Sequence, residues 1–149
     1  MGYDDHPNSP SSAVAAILER AGWYEGRDVP LPLFAPDGLT LFPVAEAVLG
    51  EFGGLRFGKC GAGVDFTTSD VVIDPGLAVH LKAELDDLGR FLGTRLFPLG
   101  EVHRGHGFLV IDEQGRTYLL SDELSPLAAS FSQALESLLL GVRVAGATG

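Results

Sequence analysis

Two histidines lie three residues apart in this chain, a spacing that occurs in metal sites. His103 and His106 lie close to Glu101, so three side chains of metal-ligand type occur within one short stretch. Imidazole and carboxylate groups are ordinary ligands of zinc and other transition metals. Arg104 and two glycines indicate a hairpin loop, however, and no cysteine or carboxylate cluster completes a cage. We therefore interpret the histidines as exposed loop residues and predict no metal site.

A second possible chemistry is nucleophilic catalysis by Cys60, with His80 or His103 as its base. Sequence spacing does not test such a pair, because the two side chains meet only in space. A free cysteine is more often a small buried apolar residue. Carboxylates available for general acid–base catalysis are Glu51, Asp65 and Glu101. Any acidic chain offers such groups, so none of these patterns predicts an enzyme.

The charge balance argues against nucleic acid as a direct partner. The chain has 10 Lys and Arg residues against 20 Asp and Glu residues, a formal charge of -10. That field repels phosphate backbones and attracts a basic partner, although acidity also serves simply to keep a chain soluble. The Lys59–Gly63 stretch is rich in glycine but lacks the Gly-x-x-x-x-Gly-Lys-Ser/Thr order of a phosphate-binding loop. We predict no cofactor.

Length and composition indicate one folded domain. The 149 residues are 46% hydrophobic and 20% charged, which is typical of a globular protein with a real core. With a single cysteine no internal disulfide can form. Residues 1–12 show no basic region followed by an apolar stretch, and no apolar run approaches the roughly 20 residues of a membrane helix. We expect a cytoplasmic protein without a signal peptide or membrane segment.

Apolar periodicity predicts the elements that would position these side chains. The predicted helices are Ala13–Arg20 with Ser11 or Ser12 as its cap, Pro43 to about Phe52, Asp74 or Pro75 through Leu88, and a helix through Leu140 capped by Ser130 and closed by Gly141. The predicted strands are Leu55–Phe57, Thr67–Ile73, Arg95–Glu101, Phe108–Asp112 and Thr117–Leu120. The predicted connections are loops at Glu25–Leu39 and Lys59–Gly63 and a tight hairpin at Glu113–Gly115. Gly89 either ends the third helix or only interrupts it.

This order favours the α+β class, with helices packed against a mostly antiparallel central sheet in a single domain. The predicted boundaries are a flexible N-terminal segment (1–12), the folded domain (13–141) and a flexible tail (142–149). The aromatic residues beside the predicted helix ends are Trp23, Tyr24 and Phe42. We expect them to lie in the core instead of at an interface.

Five short motifs occur in a specific order along the chain. They are Leu-Glu-Arg-Ala-Gly-Trp (18–23), Glu-Phe-Gly-Gly-Leu (51–55), Leu-Phe-Pro-Leu-Gly-Glu (96–101), Ile-Asp-Glu-x-Gly-Arg-x-Tyr (111–118) and Ser-Phe-x-x-Ala-Leu-x-x-Leu-Leu-x-Gly (130–141). Each motif alone is weak, but their joint order resembles the third SUKH group of the SUKH superfamily of bacterial immunity proteins. The resemblance covers roughly residues 13 to 141.

The resemblance implies an α+β fold and a protein that neutralises a polymorphic toxin, often a nuclease or a nucleic-acid deaminase, by binding it. The shared residues are chiefly structural, here Trp23, Gly53, Gly54, Gly100 and Gly115. No catalytic residue carries over, so we expect no enzyme activity. Two stretches match no family motif, Lys59–Gly63 and His103–His106, and we predict that they carry this protein's own partner specificity.

On this hypothesis the chain is a monomer when free and occludes a basic toxin domain through its own carboxylates. The candidate toxin-binding residues, chosen near strand ends and loops, are Asp65, Asp70, Asp74, Glu101 and Asp112. One alternative is a regulatory scaffold that binds an endogenous cellular protein, which co-purification would distinguish. Another is a small hydrolase, which would lose activity on Cys60→Ser.

Overall fold

The computed structural model of the protein describes residues 11–30 and 41–144 and confirms the predicted α+β class. Within these residues six strands form one antiparallel meander in which each strand pairs with its sequence neighbours. The strands are β1 (Arg56–Gly61), β2 (Thr68–Ile73), β3 (Leu96–Val102), β4 (Gly107–Asp112), β5 (Thr117–Leu120) and β6 (Leu124–Ala128). The α-helices are α1 (Ser12–Arg20), α2 (Pro43–Phe52), α3 (Lys82–Leu92) and α4 (Phe131–Leu140). Two 3₁₀ segments occupy Pro75–Leu81 and His103–Gly105.

Local capping sets the helix boundaries much as the sequence predicts. Ser11 is the N-cap of α1, and its hydroxyl accepts a bond from the Val14 N–H at 3.4 Å. Ser130 caps α4 by accepting from the Gln133 N–H at 3.2 Å, although the Gln133 side-chain oxygen finds no partner among the described residues and so completes no capping box. These bonds satisfy N–H groups that a helix leaves unpaired in its first turn.

The sheet separates two apolar cores of unequal size. The larger core lies on the face covered by α1, α2 and α4. It includes Phe42 and, at its margin, Trp23, whose ring stacks on Phe52 with centroids 6.5 Å apart. The smaller core lies under α3 on the opposite face, around Leu85. The core prediction is confirmed for Trp23 and Phe42 and wrong for Tyr24, which is 61% exposed.

The predicted third helix is two elements instead of one. A 3₁₀ segment, Pro75–Leu81, precedes α3, and the backbone leaves helical geometry at Ala78. The later part continues through Gly89 to Leu92 and ends at Gly93 in the left-handed conformation. A side chain at Gly89 would lie 2.6 Å from the Thr94 carbonyl oxygen, so this glycine permits close packing and does not end the helix.

Two strand predictions are also corrected. β1 continues through Lys59 to Gly61, where a loop was predicted, because Gly58 at φ +81° allows an irregular register with β2. β6 was not predicted at all, since Pro126 within it is typical of non-strand or edge positions. β6 is indeed an edge strand, and β1 is the other edge.

Four of the expected structural residues lie at turns or at a close approach of the backbone. Gly53 caps α2, and the Gly54 N–H donates to the Ile73 carbonyl oxygen at 2.8 Å. Gly115 lies buried in the β4–β5 turn. At Gly100 in β3, a Cβ atom would lie 1.7 Å from the Val72 carbonyl oxygen, so only glycine allows β2 to pair here.

Parts of the predicted termini and loops lie outside the described residues. These parts are residues 1–10 of the N-terminal segment, 145–149 of the tail and 31–39 of the loop Glu25–Leu39.

Candidate partner-binding surface

The second face of the sheet is covered by α3 only in part. Along β2, Val71 and Ile73 are buried in the larger core, whereas their neighbours Asp70 and Val72 are only half-buried. Successive residues of a strand point to opposite faces. On the uncovered side the β1 residue Arg56 is exposed. The face opposite the larger core is therefore open over the first strands.

Strand register brings chemically different side chains together there. Val72 lies opposite Arg56 on one side and opposite Glu101 on the other. Directly opposed residues have Cβ atoms about 5 Å apart. Asp70 lies two residues along β2, so its side chain lies on the same face. We call Arg56, Asp70, Val72 and Glu101 the open face; it combines a cation, an apolar side chain and two carboxylates.

A left-handed turn at His103–Gly105 lies between β3 and β4. His103 and Arg104 both have positive φ, at 53° and 57°, and Gly105 follows at 85°. This conformation costs a non-glycine residue about 1–2 kcal/mol. Two bonds from β2 offset that cost: the His103 N–H donates to Ser69 Oγ at 2.8 Å, and the Arg104 N–H donates to Asp70 Oδ1 at 2.9 Å. The Arg104 side chain is exposed.

A groove of about 760 Å³ runs along the outer edge of β1. We call it the edge groove. Its cationic lining comes from Arg20 of α1 and from Arg56 and Lys59 of β1, and its apolar lining includes Ile17 and Leu139. The groove is therefore amphipathic, with positive charge on an otherwise acidic protein.

The β1–β2 loop (62–67) presents apolar side chains on an anchored backbone. The Val64 N–H donates to the Leu140 carbonyl oxygen at 3.0 Å, and the Asp65 and Phe66 N–H groups both donate to the Gly141 carbonyl oxygen. Val64 and Phe66 are nonetheless 75% and 42% exposed. Ordered, exposed apolar side chains of this kind are typical of contact sites for another protein.

The two stretches without family motifs come together in three dimensions. Cys60 lies in β1, and its Sγ donates to Asp70 Oδ1 at 3.5 Å. The same oxygen accepts from the Arg104 N–H of the left-handed turn. Asp70 thus links Lys59–Gly63 to His103–His106, so both stretches border one surface. We call the open face, the left-handed turn, the edge groove and the β1–β2 loop together the β1 corner.

Three of the predicted toxin-binding carboxylates serve mainly to hold the backbone. Asp65 Oδ2 accepts from the Arg143 N–H at 2.8 Å. Asp70 supports the left-handed turn, and Asp74 caps the 3₁₀ segment by accepting from the Gly76 N–H at 3.0 Å. Glu101 differs, because among the described residues no hydrogen bond or ion pair engages its half-buried carboxylate. Of the predicted set, Glu101 is the carboxylate best placed to pair with another molecule.

Asp112 is completely buried and lies away from the β1 corner, in the β4–β5 hairpin. Its Oδ1 accepts from the backbone N–H groups of Gln114 and Arg116. Its Oδ2 accepts from Arg116 Nε at 2.8 Å and from the Tyr118 hydroxyl at 2.7 Å. Burial, and then the bond to Asp112, raises the pKa of Tyr118 to about 12. The arrangement is structural: this carboxylate cannot meet a partner unless the hairpin opens.

The side chains considered for chemistry do not assemble in the described part of the chain. Cys60 contacts a carboxylate, and the His80 ring packs edge-on against Phe108 at 5.7 Å. No group of three or more metal-binding side chains forms among residues 11–30 and 41–144. None of the helices in those ranges is both long and apolar enough to span a membrane.

Sequence reasoning missed the basic and apolar members of the β1 corner. They are Arg20, Arg56, Lys59, Arg104, Val64 and Phe66. The available signal was the absence of a family motif around Lys59–Gly63, which points to the same region without indicating its chemistry.

A model of the family described as SUKH-3 immunity protein matches residues 10–141 of the chain. No curated protein and no solved structure matches the chain.

Proposed function

Because the chain belongs to the SUKH-3 immunity protein family, we propose that it neutralises its toxin by binding it through the β1 corner. The observation that carries this proposal is that unpaired charged side chains and exposed apolar side chains occur together at that corner. The side chains of Glu101, Arg56 and Lys59 have no hydrogen bond or ion pair among the described residues, and Val64 and Phe66 are exposed. Apolar anchors surrounded by charged groups are the usual composition of a specific protein interface.

The inhibition we propose is occlusion of a nuclease or nucleic-acid deaminase. Such enzymes use basic residues to hold phosphates. The chain's formal charge of -10 would speed encounter with a basic toxin, and the Glu101 carboxylate would pair with a basic side chain at contact. In this mechanism the protein acts in the cytoplasm as a monomer, performs no catalysis and touches no nucleic acid itself.

A rescue experiment tests the function directly. The chain is co-expressed with the toxin domain encoded beside it, and cell survival and complex formation are scored together. We expect survival with a stable complex. Survival without a complex would point to an indirect route, and death despite good expression would contradict the immunity role for that toxin.

Glu101→Gln tests the role of the carboxylate. We expect the association rate constant to fall about threefold at low salt and the difference to shrink as salt is added, because a charge at an interface acts mainly on encounter. Stopped-flow mixing with the toxin domain measures both. The matched control is Glu84→Gln, which removes the same charge from exposed α3. An equal fall in both variants would mean that only net charge matters.

A further inference from the structure

The basic side chains of this protein fall into two groups. Some bind acceptors within the fold, namely Arg27, Lys82, Arg90, Arg95 and Arg116. The others have side chains without a hydrogen bond or ion pair among the described residues, namely Arg20, Arg56, Lys59, Arg104 and Arg143. Three of this second group line the edge groove. The positive charge left unneutralised by the fold is therefore concentrated along β1.

The edge groove offers a hydrogen-bonding strand edge as well as charge. β1 ends the sheet, and no described residue other than those of β2 makes a backbone hydrogen bond with Arg56–Gly61. The opposite edge strand, β6, contains Pro126, which has no N–H to donate. A free edge beside a groove can accept an extended segment as an added strand, with main-chain bonds giving affinity and side chains giving specificity.

The cations and the irregular register of β1 indicate which charge that segment carries. A second copy of this chain pairing at β1 would bring two Arg56 and two Lys59 side chains to one seam, and like charges across an interface are unfavourable. The irregular register between Gly58 and Gly61 also disfavours indiscriminate strand pairing. A segment with carboxylates at alternate positions fits instead, because guanidinium and ammonium groups form their strongest bonds to anionic oxygens.

We propose that the edge groove binds an extended, carboxylate-bearing segment of the toxin, aligned along β1. This inference rests on the proposed function and deepens it, because it assigns the partner segment its conformation and charge. The overall negative charge of the protein acts on the toxin at long range, whereas the cations of the groove act at contact.

The test uses two blocked eight-residue peptides, one alternating Glu with Val and one alternating Lys with Val. Each is titrated into the full-length ¹⁵N-labelled protein while the backbone amide signals are followed. We expect the acidic peptide to shift the amides of Arg56–Gly61 saturably and the basic peptide to leave them unchanged. The double variant Arg56→Gln/Lys59→Gln should bind the acidic peptide about tenfold more weakly.

The matched control is Lys82→Gln/Arg90→Gln, which removes two cations that form ion pairs within α3, far from the edge groove in sequence. It should retain the wild-type affinity. Thermal melts test whether each variant folds. If the β1 double variant does not fold, Arg20→Gln on α1 is a second variant of the edge groove. The peptide experiment contains no toxin, so its failure is distinguishable from a failure of the rescue experiment.

Three results would overturn the proposal. One is that the acidic peptide leaves the amides of Arg56–Gly61 unshifted. Another is that the control variant loses as much affinity as the groove variant. The third is that a single-stranded oligonucleotide displaces the acidic peptide from those amides, which would assign the groove to nucleic acid.

Discussion

Asp112 in the β4–β5 hairpin is fully buried and accepts bonds from Arg116, Gln114 and Tyr118, whereas Glu101 at the β1 corner has no partner among the described residues. Beside Asp112, Arg95 pairs with Glu113 at 2.7 Å, whereas within residues 11–30 and 41–144 no side chain pairs with those of Arg56 and Lys59. One sheet thus carries a region whose charges are neutralised within the fold and a region whose charges are not. We infer that the region with neutralised charges contributes to stability and the region with unpaired charges to binding.

The largest effect is expected at the hairpin. Asp112→Ala should lower the free energy of unfolding by about 3 kcal/mol, because it leaves buried donors without an acceptor. Urea denaturation measures the change. Affinity for the toxin should stay the same under conditions where the variant is folded. Glu113→Gln, which breaks the exposed ion pair beside it, is the control and should change stability little.

At the β1 corner we expect the opposite pattern, with a larger loss of toxin binding than of stability. Val64→Ser/Phe66→Ser should weaken toxin binding about 30-fold, roughly 2 kcal/mol, since exposed apolar side chains at an interface centre carry much of its energy. Stability in urea should change less than binding, because Val64 is 75% exposed and Phe66 is 42% exposed in the free protein. Calorimetric titration gives the affinity.

Phe91→Ser is the matched control for that pair. Phe91 is 87% exposed at the end of α3, away from the β1 corner. If Phe91→Ser weakens binding and Val64→Ser/Phe66→Ser does not, the toxin binds at α3 and the assignment of the binding region is wrong.

Much of the fold follows from local sequence patterns. Pro43 begins α2 and Ser130 caps α4 as predicted, because these signals depend on residues within a turn or two of one another. The errors have local causes too. Gly58 lies at an irregularity in β1 and Gly89 permits close packing of α3, so glycine has a different structural role at each position. Sequence alone does not show which role applies.

The β1 corner, in contrast, depends on contacts between residues far apart in the chain. Ser69 and His103 are 34 positions apart, and Asp65 and Arg143 are 78 apart. The sequence predicted Asp65, Asp70 and Asp112 as equivalent surface carboxylates. Their different roles follow from strand register and burial, which composition and periodicity do not determine.

At Asp70 we expect one substitution to lower both stability and toxin binding. Asp70→Ala removes the acceptor of the Arg104 N–H, so the strained turn loses one of its two supports from β2. We expect about 1.5 kcal/mol less stability and, because the turn borders the binding surface, weaker toxin binding as well. Urea denaturation and calorimetric titration measure the two losses. Asp70→Asn keeps an acceptor at the same place and should preserve both properties; equal losses would mean that the carboxylate charge itself is required.

The last expected effect, which is absent at neutral pH, is a pH dependence confined to the hairpin. Tyr118 in the unfolded chain ionises near pH 10, whereas its pKa in the folded protein is about 12 because the phenol is buried and donates to Asp112. Below pH 10 the phenol is neutral in both states. Between about pH 10 and 12 the unfolded chain releases a proton that the folded protein retains, so the free energy of unfolding falls as pH rises through that range.

Urea denaturation of the wild type and of Tyr118→Phe, repeated across the same pH range, isolates this contribution from that of other groups. The wild type should lose stability more steeply, and the difference between the two proteins should shrink as pH rises. Toxin affinity measured below pH 10 should be equal for both proteins, because the Asp112 carboxylate and the Tyr118 hydroxyl do not border the β1 corner. Parallel pH curves for the two proteins would mean that folding does not raise the pKa of Tyr118.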